Sequence, residues 1–295
     1  MDTVNLGRIF VINLFILIVI SANNISFSQD FDANNTSSFM DAIAKINAAP
    51  EASHKIFITG DISLETPISE AVNLELIGDT TSSEHYNFVL NGNTFTYREN
   101  KISKISDLNI VSNTSGSGFI VNQQDLTIDN ANFTSSAASN TQSSLNNIGG
   151  NLHISESNFT GNKKGMDGGA ISNQGNLETV STDFISNQGR NGGALYLSSG
   201  TANIKEADIL NNYASTYGGA AYVNNSTLTI TDSTVKDNSA MVSGGALYIE
   251  ANSNVVIDNT DFDHNTVLQQ SGGGAIYNKG NLEIKNGSSF TNNSI

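Results

Sequence analysis

Apolar residues recur two apart along this chain, in short bursts bounded by Gly and Asn. The pairs are Leu126/Ile128, Leu152/Ile154, Leu177/Thr179, Ala202/Ile204, Leu228/Ile230, Val255/Ile257 and Leu282/Ile284. Spacing of two turns both side chains to one face of a strand. The residue between them (His153, Glu178, Asn203, Thr229, Val256 or Glu283) is mostly polar and belongs on the solvent face. Five residues after each pair comes one larger apolar position: Phe133, Phe159, Phe184, Ile209, Val235 and Phe262. In the last copy Phe290 arrives one residue late, which places an insertion near Gly287. Three residues further on stand Asn162, Asn187, Asn212, Asn238, Asn265 and Asn293, with Ser136 in the copy that carries Phe133. A Gly-Gly-Ala triplet begins at Gly168, Gly192, Gly218, Gly244 and Gly273, and Gly118-Phe119-Ile120 stands in that place in a degenerate earlier copy.

Together these elements repeat about every 25 to 28 residues, a period that points to a solenoid. Short strands separated by Gly and Asn turns, at constant period, coil so that each strand pairs in parallel with its copy one turn on. The unit is too short for a crossover helix, and the Leu-x-x-Leu-x-Leu pattern of leucine-rich repeats is absent. The expected fold is all-β: a right-handed, single-stranded parallel β-helix of the pectin-lyase-like kind, with an N-terminal helical cap. Inward Leu, Ile and Phe fill its core. The repeated Asn bonds its own backbone and the Asn of the next coil along one turn edge.

Ahead of the repeats, residues 36–49 read as an amphipathic helix with Phe39, Met40, Ile43 and Ile46 on one face, and Ser38 with Asp41 resembles a capping box. Runs at 55–59, 74–77, 88–90 and 108–111 read as strands of irregular first coils. The first 28 residues resemble a secretory signal. Arg8 precedes an apolar run from Ile9 to Ile20 broken by Asn13, and small residues follow at Ser21, Ala22, Ser26 and Ser28. Cleavage near Ser28 is expected, with cleavage after Ala22 as the alternative. The chain thus divides into a signal (1–28), a cap helix with irregular coils (29–114) and repeat coils (115–295). The repeats run to Ile295 without a cap, as in a fragment of a longer protein.

Composition narrows the function. The chain has no Cys, which excludes a disulfide scaffold and a thiolate metal site. A net charge of −15 disfavours nucleic acid and anionic lipid as partners. His54, His85, His153 and His264 are scattered, and no metal or other cofactor is expected.

The interleaving of GGAI (Gly168 to Ile171, Gly273 to Ile276) and GGAL (Gly192 to Leu195, Gly244 to Leu247) with FTGN, FISN, FDHN and FTNN (from Phe159, Phe184, Phe262 and Phe290) resembles the repeats of the chlamydial polymorphic outer membrane proteins, over roughly 115–295. That resemblance implies a secreted autotransporter passenger, displayed at the cell surface and adhering to host cells. A host-cell surface protein or glycan is then the expected partner. Membrane attachment would come only through a C-terminal barrel that this sequence does not contain. Self-association through the uncapped C-terminal coil, as in a biofilm or structural scaffold, is a further reading.

The same fold houses polysaccharide lyases and hydrolases, the enzymatic alternative. Asn259-Thr260-Asp261 matches a catalytic tripeptide of polygalacturonase-like enzymes. Its Asp-Asp, Gly-His-Gly and Arg-x-Lys partners are missing, and Asp261 is the repeat equivalent of Asn158, Asp183 and Asp208. A non-catalytic chain is expected.

Two features remain as binding candidates. The segments between the repeated Asn and the next Gly-Gly-Ala (163–167, 188–191, 213–217, 239–243 and 266–272) vary while the frame stays constant. They carry Tyr213, Tyr217, Met241, Val242, Val267 and Leu268. The second feature is the series Tyr196, Tyr222, Tyr248 and Tyr277. Its neighbours Leu195/Leu197, Ala221/Val223 and Leu247/Ile249 are the more apolar set, so the tyrosines are expected outside. Such a row serves either to stack on sugars or a partner, or to stabilise the coils.

Overall fold

The computed structural model describes residues 16–21, 24–47, 53–70, 73–80, 85–97, 102–112, 119–135, 143–163, 165–269 and 272–295. The chain winds into a right-handed parallel β-solenoid of about nine turns. Three long sheets run along it, of twelve, ten and nine strands, with a fourth of four strands. Successive coils each give one strand to each long sheet, and four of them add one to the short sheet. In one turn Asp183–Ile185 lies in the ten-stranded Phe sheet and Gln188–Asn191 in the short sheet. Leu195–Ser198 then enters the nine-stranded tyrosine sheet, and Thr201–Lys205 the twelve-stranded Leu-x-Ile sheet.

Register follows the repeat. Leu126, Leu152, Leu177, Ala202, Leu228, Val255 and Leu282 pair in succession, as do the residues at the Ile position. All but the last of this row are buried. A slip of one residue would turn every such pair out to water. The Phe row stacks inside, with ring centroids 4.5 Å apart for Phe133 and Phe159 and 5.4 Å for Phe159 and Phe184. Ile209, Val235 and Phe262 continue it, while Phe290, stacked on Phe262, is 39% exposed.

Sharp corners between the sheets require a left-handed backbone. After the Leu-x-Ile strands the corner residue is Asn130, Glu156, Ser181, Glu206, Asp232, Asn259 or Asn286; before the repeated Asn it is Gly161, Ser186, Asn211, Asp237, His264 or Asn292. All have φ between 44° and 66°, where Asn, Asp and Gly are least strained. Both glycines of the triplet are needed for different reasons. The first, as at Gly192, has φ 68° and a Cβ there would lie 1.9 Å from the Leu195 carbonyl oxygen; the second, as at Gly219, would bring a Cβ to 2.1 Å from the Gly245 oxygen.

The repeated asparagines form a buried ladder. Asn187 Nδ2 donates to the Phe159 carbonyl and to Asn212 Oδ1, and Asn187 Oδ1 accepts from the backbone N–H and the amide of Asn162. The pattern continues through Asn238 and Asn265 to Asn293. Ser136 lies outside the described residues; Ser144 Oγ bonds Asn162 Oδ1 at 2.6 Å and stands as the first rung. A second buried ladder, Asn122–Asn147–Asn173, runs inside the tyrosine sheet and is joined by amide bonds of 2.8 and 2.6 Å.

The structure corrects three local expectations. The helix spans Thr36–Asn47 and its N-cap is Asn35, whose Oδ1 accepts from the Ser38 N–H while Ser38 Oγ accepts from the Asn35 N–H. The reciprocal pair is therefore Asn35 and Ser38, not Ser38 and Asp41. Phe39, Ala42, Ile43 and Ile46 are buried, Met40 only partly, and the Phe39 ring sits 5.3 Å from Phe88. Second, Ile120 pairs with Leu145 and through it with Ile171, one residue away from the alignment expected at Gly118. Third, the supposed variable loops at 188–191, 213–217, 239–240 and 266–267 are strands that form the short sheet. Arg8 and most of the apolar run after it lie outside the described residues; Ile16–Ser21 pairs antiparallel with the strand Asn24–Ala33.

Candidate functional site

The outward row of the tyrosine sheet is the most distinctive surface. Its residues, in coil order, are Asn146, Ser172, Tyr196, Tyr222, Tyr248 and Tyr277, each paired with the next. Alternation along each strand turns Leu195 and Leu197 inward and leaves Tyr196 outside. Coil spacing near 4.8 Å then brings successive rings into contact. Tyr196 stacks on Tyr222 at 5.5 Å, Tyr222 on Tyr248 at 5.3 Å and Tyr248 on Tyr277 at 4.9 Å, with interplanar angles of 7°, 13° and 20°.

Each phenol reaches the residue two places beyond the tyrosine of the next coil. Asn224 lies beside the Tyr196 phenol, Tyr222 Oη donates to Glu250 at 3.0 Å, and Tyr248 meets Lys279. Lys279 Nζ lies 5.1 Å from the Tyr248 ring centroid and 3.5 Å from Glu250. Burial against neighbours pushes the phenols of Tyr196, Tyr222 and Tyr248 above the usual value, and the Glu250 carboxylate raises Tyr222 further. Tyr217, from the short sheet, closes over the row at 4.5 Å from Tyr248. Tyr248 is thereby only 4% exposed, so this member of the expected outer row is outward-pointing but covered.

The other candidates are spread along the flank. Tyr213 is half-buried on the short sheet. Met241 and Val242 are partly buried, Leu268 is 55% exposed, and the backbone N–H of Leu268 bonds the Ala240 carbonyl. Val267 fills the core side of the short sheet with Gly189, Ala214 and Ala240, which removes it from the binding surface. A strand of two residues shows no periodicity, so its inward member could not be told from a loop residue in the sequence.

At the first tyrosine the row opens into a cleft of about 280 Å³, lined by Met166, Asp167, Ser172, Gln174 and Tyr196 among others. Arg190 closes on Asp167 through two bonds of 2.9 and 2.8 Å, and Asp167 Oδ1 also accepts from the backbone and side chain of Asn191. The sequence signal for this cleft was the change from Ser172-Asn173 to Tyr196-Leu197 at equivalent positions. Asp261, in the tripeptide that suggested hydrolysis, lies in the outward row of the Phe sheet and accepts a bond from Ser289 Oγ. Among the described residues no group of three or more His, Asp or Glu is placed to hold a metal.

Comparison with solved structures finds the ORF18 protein of Geobacillus virus E2, at 14% identity over 88% of this chain with a TM-score of 0.43. Tailspike protein 3 of bacteriophage CBA120 matches at 13% identity over 86% of the chain, with a TM-score of 0.40. The chain spans 59% and 53% of those two chains. No curated protein sequence matches. Residues 259–279, which run from the FDHN corner to the GGAI triplet, match the Chlamydia polymorphic membrane protein repeat, and the coils of this chain resemble the repeats of that family.

Proposed function

We propose that the chain is a surface-displayed, adhesin-type passenger that binds a host-cell surface protein or glycan and catalyses no reaction. The observation that carries this reading is the outward tyrosine row with its adjoining cleft. The buried Leu, Ile, Phe and Asn rows already hold the coils in register, and the aromatic face lies outside them. A half-buried aromatic row whose ring edges and terminal face reach the surface of a rigid frame favours recognition, because rigid rings lose little freedom on binding. The polymorphic membrane protein repeat supports display at the cell surface. In this reading residues 1–28 direct export and the helix Thr36–Asn47 caps the first coil.

Purified residues 29–295 are expected to bind epithelial cells saturably and to release neither reducing ends nor unsaturated uronates from polysaccharide panels. Absence of saturable cell binding would overturn the adhesin reading; product release would return the chain to the glycan-degrading class.

A further inference from the structure

The tyrosine row ends at Tyr196 beside a cleft, and we infer that the free face of this ring and the cleft form a binding site for a single neutral pyranose ring. The inference rests on the binding role proposed above and gives it a ligand class. Within the row each ring covers the next, so the rings of Tyr222 and Tyr248 offer only edges to a ligand. Tyr196 differs. Tyr222 covers it from one side, and on the other the equivalent positions are Ser172 and Asn146, too small to reach it. Tyr196 therefore lines the cleft together with side chains that supply hydroxyl and amide groups.

That combination suits a sugar ring. The C–H face of a pyranose packs on the aromatic plane, and its hydroxyls need donors and acceptors in alternation, here the Ser172 hydroxyl and the Gln174 amide. Met166, 44% exposed, adds an apolar edge. At about 280 Å³ the cleft lies just under the roughly 300–1,000 Å³ of small-molecule sites, the size of one ring rather than of an extended chain.

Charge selects a neutral ring. Asp167 and Arg190 neutralise each other through two hydrogen bonds, and Asn191 adds two more to Asp167 Oδ1. Neither offers an uncompensated charge to a ligand, and a net charge of −15 repels anionic sugars.

The test uses the purified full chain and methyl glycosides of glucose, galactose, mannose and N-acetylglucosamine, with galacturonate and N-acetylneuraminate as anionic comparators. The chain has no Trp, so tyrosine emission reports directly, alongside saturation-transfer NMR. At least one neutral glycoside is expected to bind. Tyr196→Phe should retain binding, and Tyr196→Ala should weaken it by about tenfold or more. Ser172→Tyr fills the cleft with a ring and removes the Ser172 hydroxyl from it; it should abolish sugar binding while leaving Tm unchanged or higher. Binding that survives Ser172→Tyr, tighter binding of the anionic sugars, or no neutral glycoside bound would each overturn the site. Sugar binding lost while cells still bind overturns this site alone; sugar binding without cell binding overturns the adhesin role and leaves the site standing.

Discussion

At single positions the solenoid is governed by parity and by corner conformation. Parity is legible: Leu-x-Ile spacing assigns inside and outside, and six of the seven pairs are buried while Leu282 is half-buried and Ile284 49% exposed in the last coil; the Phe and Asn rows follow from the same period. What the sequence did not reveal is the cost at the one mismatched rung. Thr179 occupies the Ile position between Ile154 and Ile204, fully buried, and its hydroxyl has no hydrogen-bond partner. The motif tolerates Thr in shape, and only burial exposes the orphaned oxygen. Thr179→Val keeps the shape and removes the desolvated hydroxyl, so it should stabilise the chain by about 1 kcal/mol, read as a higher denaturation midpoint. A lower midpoint would mean that the hydroxyl has a partner in solution. Phe184→Asp, by contrast, buries a charge between Phe159 and Ile209 and should unfold the central coils, whereas Glu178→Lys loses only an exposed pair with His153 and should shift the midpoint by less than about 0.5 kcal/mol. Circular dichroism melts of the two variants distinguish these outcomes.

At the scale of the strand, the structure departs further from what the sequence shows. The tyrosine strands were placed correctly because Leu195 and Leu197 flank Tyr196. Whether outward rings would lie flat on one another or splay apart depends on coil spacing and on the phenol partners of the next coil, which no single strand contains. The short sheet and the Asn122–Asn147–Asn173 ladder are not legible for a related reason, since strands of two to five residues with few apolar positions reveal their parity only when stacked. The stacked row has a measurable consequence. Tyr196, Tyr222 and Tyr248 hold their protons more tightly folded than unfolded. Their contribution to stability is therefore complete below the unfolded phenol value of about 10 and is lost as pH rises above it through the folded values. Tm should fall from about pH 10 upward, and phenolate absorbance should show a late-titrating set of tyrosines. Tyr222→Phe should flatten the alkaline fall; a Tm independent of pH in this range would contradict the stacked, partly buried row.

For the molecule as a whole, a solenoid held by nearest-neighbour coils presents separate long faces, each with its own chemistry. The Leu-x-Ile sheet shows polar side chains such as His153, Glu178 and Asn203, while the tyrosine sheet shows the aromatic row, Glu250 and Lys279. Sequence sufficed for the solenoid and for an outward tyrosine series. It did not suffice for the cleft, which exists because Met166, Asp167 and Arg190 fold against the coil where Ser172 gives way to Tyr196. If recognition resides on the tyrosine side, blocking that side alone should abolish it. The chain contains no cysteine, so single thiols can be placed at will. The most direct measurement is cell binding by two variants, Asn224→Cys beside the Tyr196 phenol and Asn203→Cys on the Leu-x-Ile sheet, each before and after coupling to a bulky maleimide polymer. Binding is expected to be lost on labelling at position 224 and retained on labelling at 203. Equal loss at both, or binding that survives labelling at 224, would contradict a recognition surface on the tyrosine face.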